Sequence, residues 1–320
     1  MALKFQSSAQ ASPLVPIADC RWVVERSWCM VRMKFSIELN YEVMDAQCDF
    51  IFNLHAARTR SQRIVEETLW LSQPLVSDHL TDDALGNRFM RLRAARGPLT
   101  VRYAATVDLD HFLAPPDALG EAPIAGLPMH VLPFIYPSRY CQSDRLRKLA
   151  AREFGHLWQG YRRVQAIQRW VQERTAFTSN SSNSSTSALD TVIEQVGVCR
   201  DFAHLMIALC RAVNLPARFV TGIDYGADPA LGPTDFHAYV EVYVGGRWFI
   251  FDASGVAIPM GFVRIGTGRD AAEVSFATIF GLATSTAPVI AIEAVTDGSE
   301  RYVMPLHRDD AISTAGEILN

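Results

Sequence analysis

The strongest constraint on this chain is one hairpin signal. It reads Phe236-His237-Ala238-Tyr239-Val240-Glu241-Val242-Tyr243-Val244, then Gly245-Gly246, then Arg247-Trp248-Phe249-Ile250-Phe251-Asp252. β-Branched and aromatic residues on both sides of a Gly-Gly pair specify two antiparallel strands joined by a two-residue turn. With that turn, Val244 opposes Arg247, Tyr239 opposes Asp252 and His237 opposes Ser254. The side-chain period of two then puts His237, Tyr239 and Asp252 on one face. His237 and Asp252 become diagonal neighbours, roughly 7 Å apart at the backbone. A slip of one residue would send them to opposite faces, so the expectation rests on the turn. A carboxylate holding the imidazole Nδ1–H would fix its tautomer and stabilise the imidazolium. Taken alone, a structural His–Asp hydrogen bond at a strand edge explains the pair equally well.

A second segment adds a thiol. Gly197-Val198-Cys199-Arg200-Asp201-Phe202-Ala203-His204-Leu205 runs on to Asn214-Leu215-Pro216. Phe202, Leu205, Met206, Leu209 and Val213 recur at helical spacing, which predicts an amphipathic helix with one buried face. Asn214 and Pro216 supply the stop. Cys199 falls in the first turn, where the helix dipole and unpaired N–H groups favour a thiolate. By itself Cys199 reads as an inert core thiol, as Cys210 on the same helix does. Arg200 and His204 form an i,i+4 pair, and His204 reads as a buried, hydrogen-bonded histidine.

The three residues follow in the order Cys, His, Asp, with 38 residues from Cys199 to His237 and 15 from His237 to Asp252. In this the chain resembles the transglutaminase-like superfamily, whose core has a Cys at a helix start, a His opening one strand and an Asp on the next. The matching stretches are Gly197–Leu205, His237-Ala238-Tyr239-Val240-Glu241-Val242 and Trp248-Phe249-Ile250-Phe251-Asp252, with Gly268-Arg269-Asp270 resembling the bacterial members. The resemblance extends over roughly residues 140 to 290. It implies Cys199 as nucleophile, His237 as general base and acid, and Asp252 as the residue that orients His237. Many relatives have Trp where this chain has Tyr239, a departure expected to touch the substrate groove more than the chemistry. The Cys199 N–H is one expected oxyanion donor. Gln195 and Trp170 are candidates for the second, though packing or surface roles explain each as well.

Composition narrows the rest. The chain has 320 residues, 49% hydrophobic and 20% charged, with a net charge of −4. No Lys/Arg stripe suggests a nucleic-acid surface. No run approaches the roughly 18 apolar residues of a membrane span. No apolar stretch follows Lys4 to suggest a secretory signal, and the expected location is the cytoplasm. Six cysteines lack CxxC or framework spacing, so neither a metal site nor a disulfide scaffold is expected.

Along the chain, 1–32 reads as a disordered or mis-started extension, with Met30 or Met33 as alternative starts. Residues 33–112 read as a small antiparallel β-sandwich. Its expected strands are Phe35–Tyr41, Phe50–His55, Ile64–Leu71, Arg88–Arg93 and Thr100–Asp108, with turns at Gly86-Asn87 and Gly97-Pro98. His55, His79 and His111 are expected at the surface or in turns, without a joint site. Residues 113–140 read as an extended Pro/Gly-rich connector, 141–297 as the catalytic core and 298–320 as a tail. Within the core, helices are expected from Ser143, over Arg162–Glu173, and from a capping box at Ser187 and Asp190. Between them lies a polar, mobile loop, Thr178–Ser187. Gly266–Ala271 matches a loose GxGxxA, but without a βαβ context these are expected to be loop glycines.

The expectation is an α+β protein: a β-rich domain, then a transglutaminase-like (papain-like) core with an antiparallel sheet packed on a central helix. The function expected is cysteine acyl transfer on a peptide or carboxamide bond, with no cofactor. Hydrolysis (a peptidase or amidase) is favoured over transamidation, and the partner is a protein or peptide substrate. The rival from another class is a non-catalytic scaffold or binding module that retains the fold. The presence of all three candidate residues weighs against it.

Overall fold

The computed structural model describes residues 30–228, 230, 233–296, 298 and 301–315; the expectations for 1–29 lie outside these. The β-rich part is built on β1 (Met30–Phe52), β2 (Gln62–Leu71), β3 (Ser77–Thr81) and β4 (Arg88–Asp110). β1 and β4 pair antiparallel from Met30↔Asp110 to Phe52↔Met90. Their alternate residues, Phe35, Ile37, Leu39 and Tyr41 among them, are buried. The sheet bends where β1 bulges between Val43 and Gln47. Opposite that bulge, Gly97 sits at φ +112°, a conformation open to glycine. The two halves fold onto each other, bringing the Tyr41 ring 5.2 Å from Phe50 and 5.8 Å from Phe52. Gly97-Pro98 is therefore a bend inside one long strand, not the expected turn between two. Met30–Arg32, expected in the N-terminal extension, open β1, and Arg32 donates to the Asp108 carboxylate at 2.6 Å.

The chain continues through β5 (Phe112–Ala114) and three 3₁₀ turns between Pro116 and Ile135. The expected extended connector is thus wound. Pro116 begins the first turn, where its fixed φ is already helical. Glu121 ties the segment to the buried Arg163. Then follow α1 (Ser143–Phe154), α2 (Tyr161–Arg174), β6 (Ala176–Phe177), α3 (Ala188–Glu194), β7 (Val196–Gly197) and α4 (Cys199–Ala212). β8 (Ala217–Ile223), β9 (Phe236–Val244), β10 (Arg247–Phe251) and β11 (Val263–Gly268) complete a second antiparallel sheet in the order β10-β9-β8-β11. Gly266 and Gly268 lie in this last strand, so they are sheet rather than loop glycines.

The second sheet is covered on both faces. Ala238, Val240, Val242 and Val244 meet α4 and its neighbours, while Val220, Ile223, Tyr239 and Ile250 join the core of the β-rich part. This is why β8 is buried throughout instead of alternating. α4 is enclosed likewise: every residue from Asp201 to Arg211 is buried, not one face as expected. Helices α1, α2 and α3 cover the side turned away from the sheet.

Sequence order and domain order part company near the end. β12 (Ala277–Phe280), β13 (Ala283–Ser285) and β14 (Val289–Ala294) all pair with β1. β15 (Ala311–Ser313) pairs with β5 and is buried. β12 to β14, expected within the core, thus fill the edge of β1, and β15, expected in a tail, fills that of β5. His55, expected at the surface or in a turn, lies at a bend and is buried. Its ring lies 5.5 Å from that of His79. Burial pushes its pKa down to about 4, with Arg88 adding to the fall. No helix among the described residues is long and apolar enough to cross a membrane.

Candidate active site

The β9–β10 hairpin has the register that the Gly-Gly turn demands, Val244↔Arg247 through Val240↔Phe251. Gly245 and Gly246 adopt φ +58° and +79°, the pair of positive values a type I′ turn needs. His237 is the second residue of β9, and Asp252 follows the last residue of β10. The backbone opposite His237 is Gly222 of β8. A Cβ there would run into the Val263 carbonyl and the Phe262 ring, so glycine lets β8 and β11 close up behind the imidazole.

His237 and Asp252 are nearly inaccessible, and His237 Nε2 lies 3.0 Å from Asp252 Oδ1. The carboxylate thus engages Nε2, where Nδ1 was expected. Cys199, nearby, adds to the rise of the His237 pKa after the larger effect of Asp252. Asp252 is held hard. Ser254 donates to Oδ1 from its N–H (3.1 Å) and its hydroxyl (2.8 Å), and the Ala257 N–H donates to Oδ2 at 2.8 Å. From α2, Gln168 Nε2 donates to the Asp252 main-chain carbonyl at 2.7 Å.

The electrostatics follow from burial and pairing. Burial alone would push the His237 pKa down, but the Asp252 carboxylate reverses it and holds it well above the ordinary value. Burial would raise Asp252, and the imidazole with the Ala257 and Ser254 donors brings it below the usual range instead. Tyr239 lies beneath this pair, not in the groove as expected. It is fully buried, its ring meets the His237 ring edge-on at 4.7 Å, and its hydroxyl has no partner among the described residues.

Cys199 opens α4 and is partly exposed. Asp201 reaches back to the Val198 N–H at 2.9 Å, and the Val198 carbonyl takes the Asp201 and Phe202 N–H groups. The Cys199 N–H precedes the first intrahelical bond. Its sulfur lies 3.9 Å from the Phe236 carbonyl. Arg200 does not pair with His204; it bonds to Asp201, Ser182 and the Asn183 carbonyl. These bonds, with Thr178 N–H on the Gly197 carbonyl, tie the 178–187 loop to the start of α4. His204 is fully buried, takes the Ala271 N–H at 3.2 Å and stacks on Tyr140. Burial brings its pKa down to about 3.

Of the second oxyanion candidates, Trp170 commits its indole N–H to Glu153 at 3.1 Å. Gln195 lines, with Trp170, a separate hollow of about 230 Å³ among the helices. The structure therefore brings Cys199, His237 and Asp252 together and leaves Gln195 and Trp170 apart from them. Ser254, Ala257 and Gln168 were missed. Only Ser254, two residues after Asp252, carried a local signal: a hydroxyl placed to bond back to an aspartate. Among the described residues no cluster of His, Cys, Asp or Glu could hold a metal ion.

The comparisons agree with this architecture. The transglutaminase-like superfamily pattern matches residues 148–253, and that of the bacterial transglutaminase N-terminal domain matches residues 31–130. A solved structure of a candidate cysteine protease from Cytophaga hutchinsonii is 40% identical, with a TM-score of 0.82, covering 89% of this chain and 97% of that one. An uncharacterized protein of Mycobacterium leprae is 30% identical over 116 residues, 35% of this chain and 42% of its own length. One from Mycobacterium bovis is 32% identical over 109 residues, 31% of this chain and 35% of its own. The chain thus spans less than half the length of these curated relatives. Matched along nearly all of its described length by the Cytophaga structure, the chain belongs to the transglutaminase-like superfamily, with the bacterial transglutaminase N-terminal domain ahead of the core.

Proposed function

We propose that this protein is a cysteine-dependent hydrolase of peptide or carboxamide bonds, with Cys199 as nucleophile, His237 as acid and base, and Asp252 as the residue that orients His237. The observation that carries the reading is the buried His237–Asp252 pair, 3.0 Å apart, next to Cys199, whose sulfur lies 3.9 Å from the carbonyl of Phe236, the residue before His237. An imidazolium kept charged by a buried carboxylate is a proton store beside a thiolate. The thiolate adds to the carbonyl carbon, and the developing oxyanion meets the Cys199 N–H at the positive end of α4. His237 gives its proton to the departing amine as the C–N bond breaks, leaving a thioester. Neutral His237 then takes a proton from water as the water oxygen adds to the thioester carbon; the C–S bond breaks, releasing the acid and restoring the thiolate and imidazolium.

Hydrolysis is favoured over transamidation because an amine must outcompete water at about 55 M, which requires a site that holds it by the thioester. The likeness to the Cytophaga candidate protease supports the same choice. The expected location remains the cytoplasm, and the free thiols of Cys48, Cys141 and Cys210 are compatible with a reducing compartment. The test uses a glutamine-containing peptide with and without fluorescent cadaverine. Ammonia or peptide fragments should be released, dependent on Cys199, with little amine incorporated. Cys199-dependent incorporation at a rate comparable to hydrolysis would establish the transamidase instead. Equal alkylation of Cys199 and Cys210 in the folded protein, unchanged by His237→Ala, would remove the catalytic reading and leave the scaffold.

A further inference from the structure

A hollow of about 290 Å³ opens on the β-rich part, lined by Asn40, Tyr41, Phe276, Ser285, Thr286 and Pro288 among others. It exists because β1 changes partner: Tyr41 pairs with Ser285 of β13, whereas Glu38 pairs with Val289 of β14. Between them Thr286 still donates to the Asn40 carbonyl at 3.2 Å, and the hollow opens beside Ala287 and Pro288. One wall of the hollow is Phe276, which stands 37% exposed. Its ring stacks on Phe236, with centroids 4.6 Å apart and planes within 9°. Phe236 belongs to the catalytic row: its carbonyl is 3.9 Å from the Cys199 sulfur and its neighbour in sequence is His237. An aromatic shelf therefore runs from the nucleophile to the hollow.

We propose that the Phe236–Phe276 shelf and the hollow behind it form a substrate subsite that receives an aromatic side chain, within about three residues of the bond attacked. The proposal rests on Cys199 being the nucleophile. Continuity with the cleft is the first reason for this occupant. The second is charge: none of the residues lining the hollow carries one, so a cationic or anionic side chain would lose hydration there without a partner. The third is fit. An apolar cavity of about 150 Å³ already accepts a benzene ring, and a further ring can continue the stack on Phe276. The Asn40 amide and the Ser285 and Thr286 hydroxyls lie around the hollow, where a polar ring substituent would meet them. The β-rich part thereby contributes to substrate choice, and the last strands, threaded back to β1, are what bring Phe276 to the cleft.

The experiment compares two alkylating probes on the full chain, iodoacetamide and N-(2-phenylethyl)iodoacetamide, following Cys199 by mass spectrometry. The phenylethyl probe should label Cys199 about tenfold faster at low concentration, with a rate that saturates. Phe276→Ala should bring the ratio of the two rates close to one, and Phe276→Trp should keep the preference. Thr286→Trp, at an exposed position, should abolish the preference by filling the hollow. A preference that survives both Phe276→Ala and Thr286→Trp would overturn the subsite, as would its absence from the unaltered protein. Iodoacetamide labelling of Cys199 no faster than of Cys210 would overturn the nucleophile reading, and the subsite with it.

Discussion

Replacing Asp252 by Asn tests the arrangement at its most enclosed point. Both side chains of the pair are almost fully buried, with 4% and 3% exposure, so solvent screening offers little relief. Asn keeps the shape, but its single amide oxygen accepts either from Ser254 or from Ala257 and not from both, and it removes the charge that holds His237 above its ordinary pKa. Burial, the largest opposing influence, then drives the imidazole toward its neutral form. Removing one partner of a buried ion pair costs roughly 3–5 kcal/mol, about two to three and a half decades at 1.4 kcal/mol each. We therefore expect iodoacetamide labelling of Cys199 at pH 6 to slow by about 100- to 3000-fold. A neutral His237 no longer offers a positive charge beside the sulfur. The stability difference between the two proteins should depend on pH with a definite sign. His237 has a raised folded pKa, so its contribution is complete below the unfolded value of about 6.5 and is lost as pH rises through the folded one. Asp252 has a lowered folded pKa, so its contribution is complete above about 3.9 and is lost as pH falls through the folded one. The gap in Tm should thus be widest between about pH 4 and 6.5. Labelling within twofold of the unaltered protein, with a gap independent of pH, would refute the reasoning.

Three further substitutions probe the surroundings. Ser254→Ala removes a 2.8 Å donor from Asp252 Oδ1, so the carboxylate should protonate at a higher pH. The acid-side fall in Tm should start earlier, and an unmoved acid limb would contradict the role given to the hydroxyl. Tyr239→Phe deletes a buried hydroxyl that has no partner among the described residues. It should leave Tm unchanged or raise it by roughly 2–4 °C, about 1 kcal/mol for a chain of this size, whereas a fall of more than 2 °C would reveal a missed bond. Glu241→Gln leaves the buried Arg218 and Arg264 without their shared carboxylate, which the two guanidiniums hold down to a pKa of about 2 against burial. Urea unfolding should show a loss of about 3–5 kcal/mol, and a loss below about 1 kcal/mol would show that the triad contributes little.

The sequence by itself determined the local geometry of the candidate site. Gly245-Gly246 permits one tight turn, that turn permits one register, and a period of two then places His237 and Asp252 on the same face. The start of α4 was equally legible, since Cys199 stands ahead of a helical run that ends at Asn214, with its left-handed φ of +65°. Such features rest on residues within a few positions of one another, and the chain carries them wherever it folds. What only the tertiary structure decided depends on segments far apart in sequence. The burial of every residue along β8 and from Asp201 to Arg211 follows from layers that meet on both sides. Which ring nitrogen Asp252 engages depends on how the imidazole is turned in the packed interior, which the hairpin register does not give. The return of Ala277–Ala294 to β1, and with it the seating of Phe276 against Phe236, had no local signal. Hydrogen bonding along an open sheet edge accepts any strand of suitable length, so the edge is filled by whichever segment the rest of the fold delivers there.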